Sequence, residues 1–262
     1  LIRGLLLAMG LLAAAPALAG PPQRIVSMNL CSDQWVLEFA APERIAAVTW
    51  LARDPRMSFH AVRAAAVPVN HGRTEELLRL QPDLILAGSY TTRATVRLLR
   101  QAGIAVEELD VPSTLEEVAA QARRLGTLLG APEAGERFAA RIEALPAPAP
   151  HPLRVAVLRP GGSAAGRGTL LESLVAAAGH ESLSAPGRTR LDLEMLLRER
   201  PDAIVTALDG DAPPAEATLW LQHPALRHAT LRPPSVLPGS LWICAGPGNP
   251  EAVALLAALP SP

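Results

Sequence analysis

Aromatic residues make up only 3% of this 262-residue chain, and three of them, Trp50, Tyr90 and Trp242, stand where an apolar run gives way to a loop. An aromatic side chain at a strand end offers a flat face to a planar or ring-bearing ligand. The competing reading is that each plugs a core. Arg53 and Arg167 carry the fork geometry that holds an anion by paired hydrogen bonds, against a reading as solvated surface groups. In parallel α/β sheets ligands bind beyond the carboxyl ends of the strands. That rule gathers Asn29, Leu30, Cys31, Trp50, Arg53, Ser89 and Tyr90 from the first half of the chain, and Arg159, Arg167, Asp209 and Trp242 from the second.

Signatures of catalysis are weak. Residues 161–169 are P-loop-like, but Arg167 stands where the phosphate-binding Lys belongs, and the chain contains no Lys at all. No G-x-S-x-G elbow occurs. The six His show neither H-x-x-x-H nor H-E-x-x-H spacing, so no metal site is expected. His71, beside Gly72, is the His to watch at a strand end. A net charge of −1 and the lack of a basic stripe interleaved with aromatics argue against nucleic acid as a partner. The rival to a binding protein is a secreted α/β hydrolase or transferase, with Ser89 or Ser163 beside His71 and a carboxylate.

A repeat organises the elements that must position these residues. Residues 75–87 and 194–206 align at a constant offset of 119. Each copy opens on Glu (Glu75, Glu194), carries Leu-Leu-Arg, and reaches Pro-Asp before an apolar or β-branched run. Pro ends a helix, and such a run suits a buried strand. Two chance αβ junctions are the bland alternative. Around the first copy, strands are predicted at 24–28, 45–50, 67–69, 84–87 and 104–109. Helices between them include 34–41, capped by Ser32 or Asp33, and the repeat helix capped by Thr74. Ser113, with Glu116 in the capping-box position, opens a helix to about 129. Gly130 and Pro132 break it, and another helix runs to 145. The second half restarts with a strand at 153–158, a helix at 169–178, the second repeat helix capped by Asp192, and strands at 203–206 and 235–237. Residues 241–244 extend an edge or form a loop, and Asn249 caps a last helix. This alternation predicts two Rossmann-like α/β lobes with parallel sheets, residues 20–112 and 153–262. Residues 113–152 form the connecting helical segment, which ends in a stiff run of alternating prolines.

Residues 1–19 read as a secretory signal. Arg3 supplies the charge, 5–15 the apolar run, and Ala17-Leu18-Ala19 the cleavage site. Export places the mature chain, from Gly20, in an oxidising compartment. Cys31 and Cys244 are the two cysteines; they either form a disulfide there or remain separate buried thiols, because spacing in sequence does not give their distance.

In order and spacing, several short stretches together resemble the periplasmic binding proteins of cobalamin and ferric-siderophore ABC importers. They are Arg24-Ile25-Val26-Ser27, Asn29 through Gln34, Glu75 through Leu86, Gly166 through Leu171, Glu194 through Val205, His223-Pro224-Ala225-Leu226, and Leu241-Trp242 with Cys244 through Pro247. The resemblance covers nearly all of the chain beyond residue 19. It implies two lobes joined by one long helix, with the ligand in a shallow cleft between them. It implies a monomer that catalyses nothing, needs no cofactor of its own, and carries a metal chelate (a ferric siderophore or cobalamin, with haem or another chelate as the remaining alternative) to a permease in the inner membrane. It also implies that one acidic residue per lobe docks on permease arginines. By position in the repeat these are Glu75, with Glu76 as the alternative, and Glu194.

Overall fold

The computed structural model describes residues 20–91, 93–145, 151–159, 166, 168–183, 191–206, 219, 223–230 and 233–260. The predicted signal segment, Gly161–Ser163, Arg167, Asp209 and Trp220 lie outside the described residues. Two all-parallel sheets are built. The first has the order β3-β2-β1-β4-β5, from β1 Ile25–Ser27, β2 Ile45–Thr49, β3 Val69–Asn70, β4 Leu84–Gly88 and β5 Ala105–Leu109. The second has the order β7-β6-β8-β9, from β6 Arg154–Leu158, β7 Glu181–Ser182, β8 Ala203–Thr206 and β9 Ser235–Val236. The α-helices are α1 Leu30–Phe39, α2 Ala61–Ala64, α3 Thr74–Arg79, α4 Arg93–Gln101, α5 Leu115–Leu128, α6 Pro132–Glu143, α7 Leu170–Ala177, α8 Leu193–Glu199, α9 Leu226–Ala229 and α10 Asn249–Ala257. The two predicted α/β lobes are therefore present, and strand alternation sorts their residues into layers. Ile25, Leu84 and Leu86 face one central core that also takes Val155, Val157 and Val205 from the second sheet. On the outer faces, Val26 and Ile85 pack with Leu77 of α3, and Ala156 and Ile204 pack with Leu196 of α8.

The repeat is structural. β4 pairs with β1, and β8 with β6, in parallel. Asp83 accepts the Gln23 and Arg24 backbone N–H groups at 2.6 and 2.9 Å, and Asp202 accepts that of Arg154 at 2.7 Å. Arg24 donates to the Leu80 carbonyl, and Arg154 to that of Glu199, at the end of the respective repeat helix. The Asp of each Pro-Asp thus fastens the strand it precedes to the first strand of its own lobe. Proline disfavours the α region for the residue before it. Gln81 and Arg200, which precede the two prolines, take the left-handed conformation at φ 47° and 46°.

The connection between the sheets is a helix pair, in place of the single long helix that the resemblance implies. Gly130, at φ 75°, turns the chain after α5, and Pro132 opens α6. The helices fold back on each other at glycines: a Cβ on Gly126 would lie 2.7 Å from the Cα of Gly135. Leu115 donates its N–H to Ser173 of α7 at 3.1 Å, joining this pair to the second lobe.

Several expected helix starts shift, each for a hydrogen-bonding reason. Asn29 caps α1, accepting from the Cys31 N–H at 2.8 Å, so residues 30–33 are helical rather than loop or cap. Thr114, not Ser113, caps α5, and Glu117 rather than Glu116 reaches back to the Ser113 N–H. Thr74 is the first residue of α3, preceded by an Arg73 that makes no side-chain cap; Glu76 instead accepts from the His71 N–H at 2.9 Å. Residues 241–244 are not a strand: a 3-10 turn at Gly239–Leu241 leads into a compact loop. Asn249 is the first helical residue of α10, and its side chain bonds back to Leu241, Cys244 and Gly246.

Candidate functional site

Because every strand of a sheet runs the same way, its carboxyl ends share one edge. In the first lobe this edge presents Asn29 after β1, Trp50 after β2, Ser89 and Tyr90 after β4, and Val111 just beyond β5. Tyr90 is 90% exposed and Trp50 54%, so neither plugs a core. Beneath the edge lies a buried polar cluster. Asn70 donates to the Ser27 and Val48 carbonyls, the Ser27 and Ser32 hydroxyls are 2.7 Å apart, and Asp33 accepts from the Thr49 N–H and hydroxyl. These contacts hold the ends of β1, β2 and β3 in register. Burial pushes the Asp33 carboxyl up to about 6, against hydrogen bonds from Ser27 and Thr49 that pull it down.

The second lobe meets this edge. Val111, Pro112 and Ser113 form one wall of a cavity of about 280 Å³. Arg159 from the end of β6, Thr169 to Leu171 from the start of α7, and Trp242 and Ile243 form the other. The cavity therefore opens between the carboxyl ends of β5 and β6, where the two lobes face each other. The Arg159 guanidinium stacks over the Trp242 ring at 5.9 Å. Flanking the same loop, Cys244 is joined to Cys31 by a disulfide, with Cα atoms 5.1 Å apart, fastening the start of α1 to the second lobe.

Some expected residues have other work. Arg53 spends its guanidinium on the Ala64 and Val67 carbonyls, where it holds the end of α2 rather than an anion. Leu30 is buried at 7% exposure and contributes packing. Asn29 caps a helix while lying against Gly88. Cys31 belongs to the disulfide rather than to a ligand surface. Trp35 is fully buried against Phe39 and Phe138. Ser89 and His71 close strands β4 and β3, which lie three inter-strand steps apart, about 14 Å. His71 instead faces Glu76, so this pair forms no nucleophile–base couple. Val111 to Ser113 and Thr169 to Leu171 were not among the expected site residues. Extending the strand-end rule to β5 finds the first group; the second becomes visible only once the lobes are docked.

Two parallel α/β lobes thus meet across a cavity at their strand ends. The periplasmic binding protein family matches residues 25–211, and the chain belongs to that family. It is similar to a cobalamin-binding protein of Halobacterium salinarum, 27% identical over 218 residues; the match covers 78% of this chain and 59% of that relative's length. Among solved structures it is similar to a periplasmic heme-binding protein of Pseudomonas aeruginosa, with 27% identity and a TM-score of 0.67, covering 90% of this chain and 92% of the other. The periplasmic heme-binding protein HutB of Vibrio cholerae, at 18% identity, shares the fold with a TM-score of 0.74 over 92% of this chain and 99% of its own. The family and these structures are binding proteins, and the family provides the solute-binding component of ABC importers.

Proposed function

We propose that this chain is a periplasmic receptor for a ferric metal chelate, with ferric haem as its ligand, and that it delivers this ligand to an ABC importer. The observation that carries the reading is Tyr90. It is the sole tyrosine of the chain, it is 90% exposed, and it stands at the carboxyl end of β4 where the fold binds ligands. A phenolate oxygen is an established axial donor to haem iron. Trp50, on the same edge, offers an apolar face to a flat macrocycle. The heme-binding structure at 27% identity supports the same ligand class. The cobalamin-binding relative at equal identity supports a second reading, cobalamin in the same cleft. A ferric siderophore, which shares the ferric centre, is the remaining competitor.

Titration with ferric haem, followed by the haem absorption bands, tests this. The expected outcome is stoichiometric binding with the spectrum of a phenolate-ligated ferric haem, and a Tyr90→Phe protein that loses that spectrum and at least about tenfold in affinity. Tight binding of cobalamin with no haem spectrum would overturn it in favour of the second reading.

For delivery, Glu75 and Glu194 are the proposed contacts with the permease. Both are exposed, each in the first turn of its repeat helix. Glu76 is less suited, being engaged by His71. Residues 1–19 are the proposed export signal that takes the chain to the periplasm, where it acts as a monomer.

A further inference from the structure

We infer that the cavity between β5 and β6 takes an acidic arm of the ligand, a carboxylate held by the Nε–H groups of Arg159 and Trp242. The inference rests on the chelate-receptor reading and names the chemistry of one subsite within it. Its basis is an inventory of donors and acceptors. Most of the cavity wall is apolar: Val111, Pro112, Leu170, Leu171, Ile243 and Ala245. Its two hydroxyls are already committed. Ser113 donates to Glu117, and Thr169 donates to the Gly166 carbonyl while capping α7. Among the described residues, four side-chain nitrogen or oxygen atoms are buried without a hydrogen-bond partner, and two of them are Arg159 Nε and Trp242 Nε1. The two residues that carry these atoms both line this cavity.

Burying an N–H without an acceptor costs more than a typical hydrogen bond contributes. A second buried indole among the described residues is satisfied: Trp35 Nε1 lies 3.0 Å from the Gln121 amide oxygen, in the amide orientation that suits both ends of that side chain. Trp242 has no such partner among the described residues, and the Nε of the Arg159 guanidinium stacked on its ring shares the deficiency. An apolar slot whose free side-chain groups, among the described residues, are two donors, one of them cationic, selects an apolar arm that ends in an acceptor. A carboxylate suits it best, since a charged donor paired with a charged acceptor makes the stronger bond. A neutral ester or amide of the same shape satisfies only the weaker part of that pairing.

The test compares ferric haem with its dimethyl ester on the wild type, on Arg159→Gln and on Trp242→Phe. The ligand-side change needs no mutation, so the result stands even if a variant folds poorly. The wild type is expected to bind the diester at least about tenfold more weakly than haem. That ratio should collapse toward one in Arg159→Gln and fall partway in Trp242→Phe. Equal affinity of the wild type for acid and ester, or an undiminished ratio in Arg159→Gln, overturns the inference while leaving the haem reading intact. If the wild type binds no haem, the haem reading fails by itself. The subsite is then decided with ferric citrate against a carboxylate-free ferric hydroxamate. A preference for citrate that Arg159→Gln abolishes supports the inference; no such preference, or silence with both, overturns it.

Discussion

Helix α3 with β4, and helix α8 with β8, are two versions of one unit, and their differences separate what the fold needs from what the surface offers. The shared features serve the fold: a left-handed residue before Pro, an Asp that fastens the neighbouring strand, and a fully buried Leu, Leu77 or Leu196. The helix starts differ. Asp192 caps α8 through the Met195 N–H at 2.8 Å, whereas α3 has no side-chain cap and relies on Glu76 reaching back to His71. The residue after the leading Glu differs too, since Glu76 is replaced by Met195, which is buried in the second lobe. Glu75 and Glu194 are common to both units without serving the core or a cap. Each lies one helical turn before a partly exposed leucine, Leu78 at 39% and Leu197 at 38%. The two lobes solve helix capping differently but present the same Glu-and-Leu face, the surface proposed above for docking on the permease.

The largest expected effect concerns the bond between the halves. The Cys31–Cys244 disulfide closes a separation of 213 residues. Replacing both cysteines by Ser should cost about 5 kcal/mol by the chain-entropy argument, read from the denaturant midpoint of the oxidised wild type against the variant. A loss below about 1 kcal/mol would mean that packing alone holds the lobes together. Next, Leu77→Ala and Leu196→Ala should each cost about 2–5 kcal/mol, within roughly 1 kcal/mol of each other. A large inequality in denaturant unfolding would break the equivalence of the two units.

Asp33 sharpens the comparison by being one-sided: among the described residues it is the buried carboxylate, and it belongs to the first lobe. Its carboxyl is pushed up to about 6 by burial, above the ordinary 3.8 of the unfolded chain. The folded state therefore holds this proton more tightly than the unfolded state does. That contribution to stability is complete below pH 3.8 and is lost as pH rises through about 6, a change of about 3 kcal/mol. Asp33→Asn, measured by unfolding across pH 4 to 7, should flatten that slope; an unchanged slope would assign it to other groups. The smallest effect on the fold is expected from Glu75→Arg and Glu194→Arg, which should leave stability within about 0.5 kcal/mol and ligand affinity unaltered. Transport reconstituted with the permease should fall about tenfold or more for each reversal. Lost ligand affinity would instead move these residues into the binding cleft.

The lobes were legible in the sequence because the signals that mark them are local: Pro-Asp junctions, apolar runs and glycine stops. The Glu pair was visible for the same reason, as a repeat at fixed offset. The exposed aromatics Trp50 and Tyr90 followed from the strand-end rule. What was hidden depends on contact between residues far apart in the chain. Arg53 was credited with a free guanidinium because sequence does not reveal the Ala64 and Val67 carbonyls beside it. The caps at Asn29 and Thr114 were misplaced by a few residues, since Ser, Thr, Asp and Glu stand side by side there and only geometry picks the partner. The pairing of Arg159 with Trp242, 83 residues further on, needed both lobes in place.

The central claim is that the cleft holds a ferric haem chelate. Native mass spectrometry of the protein isolated from the periplasm of haem-replete cells tests it most directly. The account predicts one added mass equal to ferric haem per chain, reduced by Tyr90→Phe. An added mass equal to cobalamin, or a bare chain under the same conditions, would contradict it.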